Sequence, residues 1–226
     1  MVVRRSGITV VGGGGGALGS AVVSRLVAGG RQVVVPTRHP GRSAPVVGAT
    51  EIECDLDDVA SVGRLRGAVD ALGPCDGMVS ASGGYARGRA NEVDDEAIET
   101  QIEANLLGPW RLARAAASSM LAHGEGGRIV IVASRAAVEV ARGQAAYQVS
   151  KAAVLRLAQV MAMELQGHGI TVNAVLPGTM DTPANREEMP KANRATWVST
   201  DSVAAVIGWL LSDGAAAVTG AAIPAG

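Results

Sequence analysis

Apolar residues along this chain fall into two alternating kinds of run. Short, nearly unbroken stretches at 7–11 (GITVV), 33–35 (VVV), 51–55 (EIECD), 76–84 (DGMVSASGG), 127–134 (GRIVIVAS) and 170–177 (ITVNAVLP) predict strands covered on both faces. Between them lie longer stretches whose apolar positions recur at three- and four-residue steps, the helical period. The first follows a run of glycines and stops at Gly29-Gly30; Val59, Val62, Leu65, Val69 and Leu72 mark the second, closed by Gly73-Pro74. A third starts at Asp94-Asp95 and carries Ile98, Ile102, Leu106, Trp110 and Ala113, with Asn105 inside the stripe and a kink expected at Pro109. A fourth runs from Tyr147 to Gln166, and its expected core face is Val149, Ala153, Leu157, Val160, Met161 and Leu165. Residues 201–213 read as a last helix and 215–226 as a last strand and tail. Regular alternation of strand and helix predicts an α/β fold, a doubly wound parallel sheet with helices on both faces, in one domain over 1–226. The polar stretch at about 178–200 is the one long irregular connection.

Candidate chemistry sits where predicted strands end. Strand 7–11 runs into GGGGGALGS and then a helix, the context in which glycines let a backbone approach a pyrophosphate and a helix start offers free N–H groups. Five consecutive glycines leave two registers open, Gly14-x-Gly16-x-x-Gly19 and Gly13-x-x-Gly16-x-x-Gly19. This makes a dinucleotide-binding Rossmann unit the expectation. The second strand should end beside the adenosine ribose; Thr37 and Arg38 stand there instead of an acid, which favours NADP(H) over NAD(H) through a phosphate-pairing guanidinium. Asp55, closing the third strand, either bonds the adenine amino group or caps the following helix. Ser134 closes the fifth strand, and Tyr147 and Lys151 stand one helical turn apart on one face. A cation beside a phenol lowers its pKa toward the range useful for acid–base work.

Composition narrows the field. A net charge of −1 leaves no basic stripe for nucleic acid or an anionic membrane. Cys54 and Cys75 form no CxxC pair, which fits a reduced cytoplasmic setting. Arg4 and Arg5 precede an apolar run too short for a signal peptide, and no run could span a bilayer. His39, His123 and His168 lack metal-ligand spacing, so no metal site is expected. With no Phe and few other aromatics, the core must be built from aliphatic residues and alanine.

Taken in order, the glycine turn, Asp55, Asn105, Ser134, Tyr147-x-x-x-Lys151, Asn173 and Pro177-Gly178 resemble the short-chain dehydrogenase/reductase family over almost the whole chain. The resemblance implies an NAD(P)-dependent oxidoreductase acting on a small carbonyl or alcohol. Tyr147 would be the acid–base, Ser134 would bond the reacting oxygen, Lys151 would hold the nicotinamide ribose, and Asn105 would hold a water linked to Lys151. Implied cofactor contacts are Gly13, Gly14, Gly16, Ala17, Leu18, Gly19, Thr37, Arg38, Asp55, Leu56, Ser82, Gly83, Pro177, Gly178 and Thr179, besides Tyr147 and Lys151. Pairing into a homodimer or homotetramer through the helices carrying Asn105 and Tyr147 is also implied. The main branch of the family has Thr-Gly where this chain has Gly12-Gly13, a glycine at Ala17, and Asn-Asn-Ala-Gly at Ser80-Ala81-Ser82-Gly83. GGGGALGS, SASGGYARG and DTPANREEMP with Trp197 look like the divergent dihydropteridine reductase subgroup, which implies reduction of a pterin C=N as an alternative. A non-catalytic dinucleotide sensor is a second alternative.

Overall fold

The unbroken apolar runs become strands because both of their faces are covered. In the computed structural model, which describes residues 7–41 and 47–226, successive strand residues face opposite helical layers. Arg4 and Arg5 lie outside the described residues. Strands β1 (Ile8–Gly12), β2 (Gln32–Thr37), β3 (Ala49–Glu53), β4 (Cys75–Ser80), β5 (Gly127–Val132), β6 (Ile170–Pro177) and β7 (Ala222–Ala225) form one parallel sheet, ordered β3-β2-β1-β4-β5-β6-β7. Val10, Val34, Ile129 and Ile131 point into a core shared with α2 (Val59–Leu72), α4 (Gly108–His123) and α5 (Ala145–Leu165). Val11, Val33, Val35, Val130 and Val132 point the other way, against α1 (Ala17–Ala28) and α7 (Thr200–Leu210). Each fully buried aliphatic side chain contributes roughly 1.5–3 kcal/mol. The doubly wound α/β expectation holds.

Boundaries and faces depart from the sequence reading in informative ways. Helix α1 starts four residues earlier than the apolar period suggests, so Gly19 lies inside it. β3 and β4 end at Glu53 and Ser80, which leaves Asp55 and Ser82 on loops beyond the sheet's carboxyl edge. The third helix is three pieces: α3 (Asp95–Ile102), a π-helical stretch Glu103–Leu107, and α4. The bend therefore belongs to the π turn, where the Gly108 N–H reaches back five residues to the Glu103 carbonyl; Pro109 sits in α4's first turn, where a missing N–H is tolerated.

The extra residue in that turn rotates the buried face. Gln101, Asn105, Leu112 and Ala116 point inward, whereas Ile98 and Trp110 are exposed. On α5 the expected stripe is only partly right: Met161 and Leu165 are buried, but Val149 and Val160 are exposed, and Ala146, Ser150, Val154, Ala158 and Ala162 fill the buried face. Small side chains let α5 lie close to the sheet, so its inner face is small rather than strongly apolar.

The irregular stretch beyond β6 holds a short helix, α6 (Pro183–Glu188), and a 3-10 turn at Arg194–Thr196. This excursion is closed at its base by a bridge between Met180 and Val198. Among the described residues, no helix is long and apolar enough to cross a membrane.

Candidate active site

β1 lies between β2 and β4, so the chain leaves its two central strands in opposite directions and opens a crevice at their carboxyl ends. The glycine turn fills that crevice, and its glycines are there for space. Gly13 has φ of +75°, and a side chain on it would meet the Ser82 backbone nitrogen at 2.6 Å. A Cβ on Gly19 would come within 2.0 Å of the Gly13 carbonyl oxygen, and the Gly16 N–H donates to that same oxygen at 2.9 Å. Gly13, Gly16 and Gly19 thus form one contact, which selects the second of the two registers. No side chain caps the start of α1 at Gly16, so its first N–H groups face the crevice with the positive end of the helix dipole.

On one side of this turn lies a chamber of about 710 Å³ walled by Gly13, Gly14, Gly16, Thr37, Arg38, Asp55 and Leu56. Asp55 does not cap α2: Asp58 does, accepting from the Ala60 N–H at 2.8 Å, while Asp55 accepts from the Asp57 N–H at 3.0 Å. Burial pushes the Asp57 carboxyl up from its ordinary value, Asp55 and Glu103 add to the rise, and Arg38 opposes it. Arg38 is thus the positive charge on a wall that also carries acids.

A second chamber of about 490 Å³ opens on the other side, sharing Ala81, Ser82 and Gly83 with the first. Leu18, Ser134, Tyr147, Lys151, Pro177, Gly178 and Thr179 line it. Ala17 opens α1 at the turn between the two chambers. Ser134 stands beyond the end of β5 and starts a 3-10 turn by accepting from the Ala136 N–H at 3.1 Å. Tyr147 rises from the first turn of α5 and lines the same chamber as Ser134.

Burial pushes the Tyr147 phenol up from its usual value; the Ser134 hydroxyl pulls it down, and Tyr85 adds to the rise. Burial brings the Lys151 ammonium down to about 8. The lowering of the phenol expected from Lys151 is therefore not what the geometry produces. Its ammonium lies over the Tyr147 ring, 5.9 Å from the centroid, and donates to the Val132 carbonyl at 3.2 Å, so desolvation dominates both groups.

Asn105 lies beneath the dividing wall, fully buried on the π turn. Its amide donates to Gly84 O, Gln101 Oε1 and Ser150 Oγ and accepts from the Gly84 N–H, each at 3.0 Å. A side chain on Gly83 would strike Asn105 Oδ1 at 2.6 Å and Lys151 Nζ at 3.1 Å, so this loop packs directly on both. The glycine cradle, free helix start and paired chambers fit an extended dinucleotide.

Several wall residues were not singled out as site residues in the sequence. Tyr85 stands edge-on to Tyr147, ring centroids 5.0 Å apart, inside the second chamber. Arg87 bonds Glu188 at 2.9 Å across 101 residues, joining the loop after β4 to α6 at the chamber mouth. Arg135 and Glu139 also line it. Trp197 lines neither chamber; the Arg194 guanidinium lies over its ring at 5.8 Å. Only the SASGGY spacing hinted at Tyr85, and nothing local marks the Arg87–Glu188 pair.

The profile of the family described as short chain dehydrogenase matches residues 7–193. A 3-oxoacyl-[acyl-carrier-protein] reductase, MabA, of Mycobacterium tuberculosis strain CDC 1551 is 34% identical over 224 residues, which are 95% of this chain and 89% of that protein. An uncharacterized NAD-dependent oxidoreductase of the same strain is 34% identical over 191 residues, 76% of this chain and 69% of its own length. Among solved structures, the actinorhodin polyketide ketoreductase with NADPH superposes with a TM-score of 0.89 at 30% identity, over 99% of this chain and 97% of that one.

Proposed function

The chain belongs to the short-chain dehydrogenase family and is an NAD(P)-dependent oxidoreductase, and from that premise we propose that it moves hydride between a nicotinamide and a small carbonyl or alcohol, with Tyr147 as the acid–base. The observation that carries this reading is the meeting of Ser134, Tyr147 and Lys151 in a chamber continuous with the glycine turn. A bound nicotinamide supplies the hydride chemistry. Ser134 holds the substrate oxygen beside the phenol. Tyr147 gives that oxygen its proton in reduction and takes one in oxidation. Because burial raises the phenol, it is the protonated donor at neutral pH, which suits the reductive direction. Lys151 would hold the nicotinamide ribose, and its charge, over the Tyr147 ring, would balance the transient phenolate. Reduction should vary little near neutrality, whereas oxidation, which needs the phenolate, should speed up as pH rises.

NADP(H) is the proposed nucleotide, supported by Arg38 on the chamber wall and by the absence of an acid at Thr37. The relatives point both ways, one an NAD-dependent oxidoreductase and one solved with NADPH. Titration by nucleotide fluorescence should give NADPH at least roughly tenfold tighter binding than NADH, the value of one well-placed charged contact. The assembly we propose is a homodimer or homotetramer, in the cytoplasm, where the two free thiols Cys54 and Cys75 stay reduced.

Replacing Tyr147 by Phe should cut turnover roughly 10²–10⁴-fold while NADPH binding persists. Unchanged turnover in that variant would remove Tyr147 from the mechanism, and an unchanged cellular role with no turnover in either protein would favour the dinucleotide sensor. A pterin-type reductase is the second reading. It is favoured by Tyr85, an aromatic wall for a planar substrate, and preferential reduction of quinonoid dihydropterin over a ketone panel would select it.

A further inference from the structure

The second chamber holds three cations, and they are not equally committed. Lys151 is buried and bonded to Val132. Arg87 is bonded to Glu188 at 2.9 Å. Arg135, the residue directly after Ser134, is different. A guanidinium carries five N–H donors in a planar fork. In Arg135 the buried Nε has no hydrogen-bond partner. Nη1 reaches the Gly226 carbonyl oxygen only at 3.5 Å, the outer limit of a bond, and the Glu139 carboxylate stands off at 3.9 Å.

This fork nevertheless has a built seat. It lies against Gly178, where a Cβ would meet Nη2 at 3.1 Å, Cζ at 3.2 Å and Nε at 3.3 Å. The glycine leaves room for the guanidinium to lie on the backbone that follows β6, and the side chain is only partly exposed, at 43%. A buried donor left without an acceptor costs more than an ordinary hydrogen bond gains. A planar oxyanion entering the chamber would take two parallel bonds from the exposed part of the guanidinium, the geometry at which arginine exceeds lysine. The loosely held Glu139 is a weak competitor for that place.

We propose that Arg135 is the specificity determinant of the substrate chamber and binds a carboxylate, so that the preferred substrate is a small oxo acid or the corresponding hydroxy acid. This rests on the carbonyl-reduction reading above and deepens it. Ser134 and Tyr147 hold the reacting oxygen, and the neighbouring residue anchors the far end of the same small molecule. The carboxylate takes no part in the chemistry; it fixes which carbonyl is presented. A nicotinamide bound in the 490 Å³ chamber would take up part of it and leave room for a small substrate only.

The test uses the full chain with NADPH and pairs of 2-oxo and 3-oxo acids with their methyl esters, alongside neutral ketones. In the wild type, kcat/KM should be roughly ten- to hundredfold higher for the acid of at least one pair, the range of a charged hydrogen-bond pair, with the difference carried by KM. Arg135→Met should bring the acid-to-ester ratio close to one. Arg135→Lys should keep part of it, as a point charge without the fork. Arg87→Met should leave the ratio where it was, because that guanidinium is already committed. NADPH titration of each variant reports folding and the nucleotide site.

Equal use of acids and esters by the wild type, with neutral ketones turned over, overturns this inference and leaves the carbonyl-reduction reading standing. So does a ratio that survives in Arg135→Met, or one that collapses in Arg87→Met. Loss of NADPH binding in Arg135→Met alongside catalysis would place the guanidinium on the nucleotide and overturn it too. If the wild type reduces no acid, ester or ketone, the underlying reading fails, and this one with it.

Discussion

Lys151 shows what the chemistry of this site demands of the fold. Its ammonium is buried beside a phenol and has one carbonyl partner, and desolvation brings it down to about 8. In an unfolded chain the same lysine titrates near ~10.4. Below pH 8 both states carry the proton, and the folded state bears the whole desolvation penalty, on the order of 3 kcal/mol at about 1.4 kcal/mol per pKa unit. As pH rises from 8 toward 10, the unfolded chain holds a proton that the folded chain has released, and the penalty is recovered. Lys151→Met should therefore raise the melting temperature of the nucleotide-free protein by several degrees at pH 7 while abolishing turnover. The gap should close by pH 10, and calorimetry at the two pH values checks it. The identity of Lys151 was legible from its spacing to Tyr147. Its burial was not, because nothing local says how deeply a helix face is covered.

Among the elements, the broken helix from Asp95 to His123 does the most to place the site. Its π turn brings Asn105 inward to bond both backbone groups of Gly84, which holds the Ala81–Gly84 loop between the two chambers. Asn105→Leu keeps comparable volume but strands the Gly84 N–H and C=O, at about 1–3 kcal/mol for each buried group left unpaired. A clear fall in melting temperature should accompany weaker NADPH binding, measured by thermal shift and fluorescence titration. A fall in stability with unaltered nucleotide affinity would separate the loop from the nucleotide. In the structure the Asn105 side chain is engaged with the Gly84 backbone, Gln101 and Ser150. The misplaced stripes on α4 and α5 have a shared cause. Reading by hydrophobicity selects the largest side chains, and here the buried faces carry many alanine and serine residues beside Leu112, Met120 and Val154. The π turn then shifts the register by a residue that no regular period anticipates.

At the scale of the molecule, those misplaced residues leave the two helices partly bare. Trp110 and Leu121 on α4 and Val149, Val160 and Met163 on α5 are all substantially exposed. Large apolar side chains gathered on exposed helices are the ordinary mark of a protein–protein contact, and they support the pairing proposed above. Trp110→Glu combined with Val160→Glu should convert the assembly to monomers, detectable by light scattering, and an unchanged mass would move the interface elsewhere.

A second whole-molecule feature was invisible in the sequence. Buried Arg31 pairs with Asp76 and bonds Thr9 Oγ1 at 2.7 Å, tying β1 and β4 to the start of β2 at the sheet edge opposite the site. The alternating pattern of the chain by itself determined the layered parallel sheet, because runs of period two and period 3.6 admit few arrangements once every strand must be covered. It also marked the glycine turn and the Ser134, Tyr147 and Lys151 positions, since each is a local constellation at a strand end or along one helix face. Only the tertiary structure decided which faces are buried, which cations are paired, and that the buried Arg135 Nε is left without a hydrogen-bond partner. Those properties depend on residues a hundred positions apart meeting in space, and no local spacing encodes such a meeting.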